Sequence, residues 1–515
     1  MNSILFSAMQ VENNLTETTN GMTAYVSTLN AVLDLFSKGS SLRSASIEDI
    51  ERHVMNALNE DKQLTLRCLF YLRDIRGEGQ GERRVFRVGL RYLAQNNIDS
   101  FIKSGIINHI PTYGRWDDIF SLFGISSKID DEIIRLLDSQ LKSDISSLLE
   151  NPNQVSLLAK WMPSCNTSSK ETRSLAKKIY KSLHISEKEY RKMLSKLRKQ
   201  IDIIETRLSN KDYTFDYSKV PSNANMKYRK CFERNDAERF VKHNQEVAEA
   251  LKIPVMCDCS NLPKDNVATL YPYEIVEKII NNRYMNEMER LRYDNMWKQL
   301  PNYFGEKSKN KNWMTVIDTS GSMLGFRRPT PMSVAISLGI YIAERNTGIF
   351  KDKYVTFSSY PCLIEIKNDC DIYNKVYQIF ENSIVSDTNI EAVFDLLLNT
   401  AVKNNMPKEE MPEGIFIISD MQFNSAIQDG RNPAVYNMIK NKYAKAGYTV
   451  PKIIFWNVAQ TDEGNLPVTK HENGAILVGG CKPGLFEMIL SGKNPEEFMR
   501  DVLNGERYSS LELLY

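Results

Sequence analysis

Up to about residue 300 the apolar positions recur three and four apart, the period of helices that bury one face. Thr23 to Phe36, Ile47 to Leu58, Lys62 to Leu72, Glu82 to Leu93 and Asp131 to Leu149 follow this rule, separated by short polar or glycine-containing breaks. The spacing predicts stacked helical hairpins. The clearest helix start is at Ser186, where Ser186 and Glu189 form a capping-box pattern and Ile185 and Tyr190 supply a hydrophobic staple. Its buried seam is predicted as Tyr190, Leu194, Leu197, Ile201, Ile204 and Leu208, with Lys188, Lys192, Lys196 and Lys199 forming a ridge on a separate face. Residues 209–230 and 257–272 read as polar breaks, and 273–300 as helix again.

After Asn312 the period changes. Trp313 to Ile317, Tyr354 to Phe357, Ile415 to Ile418, Ile453 to Trp456 and Ala475 to Val478 are short, apolar and rich in β-branched or aromatic residues. Between them lie helical patterns at Met332 to Glu344, Ile390 to Val402 and Ala434 to Ala446. Strands apolar on both faces and alternating with helices predict a mostly parallel sheet covered on both sides, a Rossmann-like arrangement. The expected chain is therefore multidomain α + α/β. Helical repeats occupy 1–300, a basic polar linker 301–312, the α/β domain 313–490 and a helical extension 491–515. No strict repeat period is present, so only irregular helical repeats are expected.

Composition sharpens this picture by exclusion. The 515 residues are too many for a single core, and 42% of them are apolar, as expected of a folded chain. The apolar stretch Val334 to Ala343 is far short of the roughly 20 residues a bilayer crossing needs, and Met1 to Met9 lacks the positive flank of a secretory signal. A cytoplasmic protein without a membrane partner is expected. Of the eight cysteines only Cys257 and Cys259 are close, and the five histidines lie apart. That leaves no zinc box and little material for Ser/His/Asp hydrolysis, so the cysteines are read as reduced thiols. The net charge of +2 conceals a segregation: Lys170 to Arg234 carries 18 basic against 8 acidic residues, and Arg67 to Arg91 carries 7 against 3. Such blocks suit a phosphate backbone, and equally suit solvated helix faces.

In an open α/β sheet, ligands bind beyond the carboxyl ends of the strands. Asp318-Thr319-Ser320-Gly321-Ser322 follows the first predicted strand, Asp387-Thr388-Asn389 opens a helix, and Ser419-Asp420 ends another strand. Two serines two residues apart in a tight loop turn hydroxyls to one side, with Asp318 behind them. Thr388 and Asp420 complete a set of hard oxygen donors suited to Mg²⁺ or Mn²⁺. The alternative reading of the first segment is a polar strand-to-helix turn with capping side chains. Asp318, Ser320, Ser322, Thr388 and Asp420 match the metal-ion-dependent adhesion site of von Willebrand factor A domains, which residues 312 to about 490 resemble. The resemblance implies that the serines and threonine reach the metal, while the aspartates often act through water. The chain departs from it at Asp387, where the family usually has glycine. No phosphate-binding Gly-rich loop, second dehalogenase-type aspartate, general base or nucleophile accompanies the set, so binding is expected in place of catalysis.

Three further segments are distinctive in combination: Tyr71-Leu72-Arg73-Asp74-Ile75-Arg76-Gly77-Glu78-Gly79-Gln80-Gly81-Glu82-Arg83, Tyr113-Gly114-Arg115-Trp116-Asp117-Asp118 and Lys160-Trp161-Met162-Pro163-Ser164. Followed by Lys219-Val220-Pro221-Ser222 and the A-type domain, their order resembles the TROVE-module (telomerase, Ro and vault) proteins, closest to relatives that carry only an uncharacterised-domain label. That resemblance implies a ring of HEAT-like helical repeats closed by the A domain, and binding of small non-coding or single-stranded RNA, as in a ribonucleoprotein scaffold. Candidate phosphate contacts on the residues themselves are Lys170, Arg173, Lys177, Lys178, Lys188, Arg191, Lys192, Lys196, Arg198 and Lys199, with Arg115 and Lys160 beside Trp116 and Trp161. The tryptophans read either as base platforms or as core anchors, and Arg73 and Arg76 equally as caps within a glycine-rich turn. The competing expectation is a protein-assembly component, without RNA function, whose metal site grips an acidic protein ligand.

Overall fold

The computed structural model describes residues 14–18, 20–77, 79–252, 263–267, 270–304, 312–325, 328–382, 388–423, 435–459, 466–470, 472–481, 489 and 494–514. Cys257, Cys259, Asp387, Met1 to Met9 and most of the 301–312 segment lie outside them. The chain forms two compact units, each assembled from separated stretches: Met1–Cys68 with Val241–Gly505, and Leu69–Phe240 with Glu506–Tyr515. The sequence boundary at 301–312 falls inside the first of these. The N-terminal part is predominantly helical and the C-terminal part carries a mixed six-stranded sheet, so the α + α/β class holds. No helix of the described residues is long and apolar enough to cross a membrane.

In the first unit, strands β1 (Leu15–Glu17) and β2 (Thr23–Tyr25) pair as an antiparallel hairpin. The sheet contains β3 (Trp313–Ile317), β4 (Lys353–Thr356), β5 (Leu363–Glu365), β6 (Gly414–Ser419), β7 (Lys452–Asn457) and β8 (Ala475–Gly479), in the order β5-β4-β3-β6-β7-β8. All neighbours are parallel except the edge pair β4 and β5. The expected strands match to within a residue or two. The antiparallel β5 was not among them, because three half-exposed residues give too short a pattern to read. From β3 the chain steps to β4 on one side and later returns to β6 on the other, so the strand order reverses between β3 and β6. Their carboxyl ends therefore flank the crevice where open α/β sheets hold ligands. Gly414 lets β6 lie against β3, since a Cβ there would fall 1.9 Å from the Trp313 ring.

The predicted helix from Thr23 to Phe36 is corrected. Thr23–Tyr25 is strand, and the helix is Ala31–Lys38, begun by Asn30, whose side chain accepts from the Leu33 N–H. Leu29 has a φ of 65°, which breaks the period before that cap. Met22 and Tyr25 bury their side chains in the sheet's core with Val316, Ile417 and Phe455.

The second unit holds the helices from Arg84–Asn96 to Ser222–Asn235. The helix Glu187–Ile201 begins at the predicted Ser186 capping box and buries Tyr190, Leu194 and Leu197. The predicted seam ends there, because Asp202 turns into the left-handed region at φ 56°. Ile204 and Leu208 belong to the next helix, Ile204–Ser209, and pack on a cluster of Phe215, Tyr217, Val220, Phe232 and Phe240. The polar break expected over 209–230 thus contains buried aromatic residues and the start of the helix Ser222–Asn235.

Candidate functional site

In the first unit the segment after β3 folds as expected of a strand-end loop. The Asp318 N–H still bonds to the Ile418 carbonyl of β6 at 3.1 Å, and the chain then turns through Ser320 into a short 3₁₀ helix, Gly321–Leu324. Asp318 is fully buried. Its Oδ1 accepts from the Ser320 N–H at 2.9 Å, and its Oδ2 from the Ser419 hydroxyl at 2.5 Å. The Ser320 and Ser322 hydroxyls lie 3.1 Å apart. Asp420 is buried beside them at the end of β6, and its Oδ1 accepts from the Gln422 N–H at 3.1 Å. Thr388, just before the helix Ile390–Lys403, donates its hydroxyl to the Gln422 carbonyl at 2.5 Å. All five predicted residues are thus linked through hydrogen bonds or charge to the ends of β3 and β6, with Thr388 joined by way of Gln422.

Burial and then the neighbouring Asp420 charge together raise the Asp318 pKa to about 7, against the bonds from Ser419 and Ser320, which pull the other way without prevailing. Two carboxylates held close together away from water disfavour the ionisation of both. The donors are hydroxyl and carboxylate oxygens throughout, the choice of a hard ion. Among the described residues no group of three or more His, Cys, Asp and Glu side chains gathers at a metal-binding distance. A site here depends on the hydroxyls.

Sequence reasoning missed two contributors. Ser419, next to Asp420, holds Asp318 in place. Asn20, at the tip of the β1–β2 hairpin, donates to the Gln422 carbonyl at 2.8 Å and lies 3.5 Å from the Thr388 hydroxyl, while Thr18 donates to the Phe423 carbonyl at 2.6 Å. The Ser419-Asp420 pair was visible as a strand end. Nothing in the sequence signals Asn20, which is more than 360 positions from Thr388.

The basic candidates lie in the second unit. The helix Glu187–Ile201 lines an open groove of about 1090 Å³ with Lys188, Arg191, Lys192, Arg198 and Lys199, opposite Ser164 and Cys165. Lys188, Lys192, Lys196 and Lys199 are exposed and carry no ion pair among the described residues. Lys170 and Lys177 are exposed in the same way on the helix Lys170–Ser182.

Others on the predicted list are engaged internally. Arg198 donates to the Ala159 carbonyl at 2.8 Å, the Met162 carbonyl at 2.7 Å and the Ser164 hydroxyl at 2.9 Å, clamping the lysine helix to the Lys160-Trp161-Met162 segment. The Tyr190 hydroxyl reinforces the clamp at the Pro163 carbonyl, 2.8 Å away. Arg173 binds the carbonyls of Thr167 and Ser168, Lys178 pairs with Asp130 at 2.6 Å, and Arg191 sits 4.0 Å from Glu187. Arg115 chelates Asp117 and lies over Trp161, with Lys160 5.6 Å from the same ring. Trp116 is buried and serves as a core anchor, whereas Trp161 is half-buried.

The distinctive motifs meet in the same unit. The buried Arg73 bonds through Nε to Asp118 at 2.8 Å, and the Ile75 N–H bonds to the Tyr113 carbonyl at 2.9 Å. The glycine-rich turn wraps Asp74 closely: a Cβ on Gly79 would fall 2.2 Å from the Tyr71 carbonyl oxygen. Asp74 in turn receives Arg507 at 2.9 and 3.0 Å and the Tyr508 hydroxyl at 3.2 Å, fastening the C-terminal segment.

A family described as a domain of unknown function (DUF2828) matches residues 18–119 and 128–319, more than half of the chain. The chain belongs to that family. Its match takes in the hairpin tip, the arginine and glycine motifs, the lysine helix and β3 as far as Asp318 and Thr319. A second family, also described as a domain of unknown function (DUF7788), matches residues 312–510, which hold the sheet. An Acanthamoeba polyphaga mimivirus protein, named uncharacterized protein L728, is 29% identical over 505 residues, spanning 94% of this chain and 86% of its own length.

Proposed function

We propose that the chain is an RNA-binding scaffold whose contact surface is the groove beside the helix Glu187–Ile201. The observation that carries this reading is the ridge of Lys188, Lys192, Lys196 and Lys199, exposed along one helix and without acidic partners among the described residues. Four ammonium groups in a row repel one another in the free protein, and a polyphosphate chain offsets that repulsion while releasing its own counterions. The resemblance to TROVE-module proteins agrees, with the helical unit then of the HEAT-like type. Small or single-stranded RNA is the expected partner. Fluorescence anisotropy with single-stranded RNA, repeated over a range of salt, tests the reading: affinity must fall steeply with salt, and absent or salt-indifferent binding refutes it.

A second reading is favoured by the pairing of Asp318 and Asp420 at the point where the strand order reverses. On it the sheet is a von Willebrand A-type domain in which Ser320, Ser322 and Thr388 with the two aspartates hold Mg²⁺ or Mn²⁺. A bound ion of this kind keeps an exchangeable position for an acidic ligand. Asp318 supplies charge, Ser419 fixes its orientation, and the serine and threonine hydroxyls supply neutral oxygen. On this reading the role is adhesion to an acidic protein group. Mg²⁺-dependent capture of protein that survives nuclease, and is lost on Asp318→Ala, would give this reading precedence over RNA.

A further inference from the structure

The arginines of the first two motifs converge on a pair of aspartates. Asp118, fully buried, accepts from Arg73 Nε at 2.8 Å, from Arg87 Nε at 2.7 Å and from the Arg115 N–H at 2.8 Å. Asp117 accepts from Arg115 Nε and Nη2 at 2.9 and 2.8 Å, and pairs with Arg87 Nη2 at 2.9 Å. Burial works to raise the Asp117 pKa, but Arg115 and Arg87 outweigh it and hold the carboxyl below its ordinary range. Both carboxylates are thus taken up. Arg83, the residue before the helix Arg84–Asn96 and one helical turn ahead of Arg87, is exposed and has no ion pair or side-chain hydrogen bond among the described residues. Burial, then the charges of Arg87 and Arg115, lower its pKa.

Four guanidinium groups, on Arg73, Arg83, Arg87 and Arg115, therefore face two carboxylates. Glu82 and Arg84 on the same turn add one charge of each sign. Guanidinium does not deprotonate in proteins, so the crowding is relieved by an incoming anion and not by loss of a proton. Arg87 and Arg115 are held rigid by the aspartates, yet keep 26% and 28% of their side chains exposed. Planar donors fixed in this way suit the tetrahedral oxygens of phosphate. An excess of two positive charges matches a monoester or inorganic phosphate dianion better than a backbone diester, which carries one charge.

We infer that Arg83, Arg87 and Arg115 form a site for a phosphate dianion, buttressed by Asp117 and Asp118. This site does not rest on RNA binding in the lysine groove. The dianion has two sources, free phosphate and the phosphorylated end of a nucleic acid, and the test separates them.

The full chain is titrated with inorganic phosphate at constant ionic strength, by calorimetry, beside Arg83→Gln and an Arg76→Gln control. Arg83 is chosen because it holds no aspartate and its loss leaves the buried pairs intact; circular dichroism checks the fold. Anisotropy then compares single-stranded RNAs ending in 5′-monophosphate, 3′-monophosphate or hydroxyl. The expected result is phosphate binding that weakens at least tenfold in Arg83→Gln and is unchanged in Arg76→Gln. An end preference removed by the same substitution assigns the nucleic-acid source, and equal affinity for all three RNAs assigns free phosphate. Phosphate binding that is absent, or equal in wild type and Arg83→Gln, overturns the site even if every RNA binds. Arg83-dependent phosphate binding without any RNA binding upholds the site while the lysine-groove reading fails.

Discussion

The guanidinium carbon of Arg115 stands 4.1 Å from the centre of the Trp161 ring, joining the second distinctive motif to the third. The same side chain is bidentate to Asp117, so the cation is oriented before it meets the ring. Partly desolvated contacts of this type are worth about 0.5–2 kcal/mol. A double-mutant cycle of Arg115→Ala and Trp161→Leu, read by urea unfolding, is expected to give a coupling energy in that range. Strict additivity would show that the two side chains are merely adjacent.

The cations of the helix Glu187–Ile201 divide by role, and the division predicts opposite mutant behaviour. Lys192, Lys196 and Lys199 are exposed, whereas Arg198 satisfies two carbonyls and a hydroxyl. Reversing the three lysines to glutamate is expected to weaken RNA binding at least tenfold for all sequences and to flatten its salt dependence, leaving stability within about 0.5 kcal/mol. Arg198→Ala is expected to cost about 2–3 kcal/mol of stability, because it leaves buried acceptors unpaired. If Arg198→Ala proved neutral to folding, the clamp would be refuted.

These two groups also show what a sequence discloses. The Ser186 capping box and the lysine spacing are local features, and both appear in the structure as read. So do the five parallel strands, because burial on both faces leaves an unbroken apolar run. The engaged state of Arg115, Arg173, Lys178 and Arg198 was not legible, since a partner carbonyl or carboxylate carries no periodic signal. Asn20 and the strand β2 were missed for a related reason. The three residues of β2 pair with the equally short β1, Asn20 bonds to a residue 402 positions away, and the apolar spacing from Thr23 to Phe36 imitates a helix. Asp318, Ser320, Ser322, Thr388 and Asp420 were legible as a group because each stands near a strand or helix end, where topology makes polar residues informative.

Gly114 is constrained by the buried charge pair next to it. A Cβ there would fall 2.5 Å from Asp118 Oδ2 and 3.1 Å from Arg73 Nε, both almost fully buried. Gly114→Ala must therefore push apart a salt bridge that has no room to move. A loss of about 1–3 kcal/mol is expected, measured by denaturant unfolding. Wild-type stability in this variant would mean that the Arg73–Asp118 pair is looser than its 2.8 Å contact indicates.

The sheet site makes a prediction in which charge removal and metal binding pull in opposite directions. With its pKa raised to about 7 by burial and by Asp420, Asp318 binds a proton in the folded chain over a pH range where the unfolded chain has lost it. Its contribution to stability is present in full below the ordinary carboxylate range near 4 and is lost as the pH rises through about 7. The metal-free protein should accordingly lose stability between those values, an effect of order 1–4 kcal/mol from the size of the shift. Asp318→Asn should lack that slope and be the more stable protein at pH 8, since the Ser419 hydroxyl can accept from the new amide. Mg²⁺ should reverse the ranking. At a hundredfold over its Kd it adds about 2.7 kcal/mol to the wild type and nothing to the variant, and the gain grows with pH because the ion binds the ionised form. Thermal unfolding of both proteins at several pH values, with Mg²⁺ or with chelator, provides the readout. Equal stabilisation of wild type and Asp318→Asn by Mg²⁺ would remove Asp318 from any metal site.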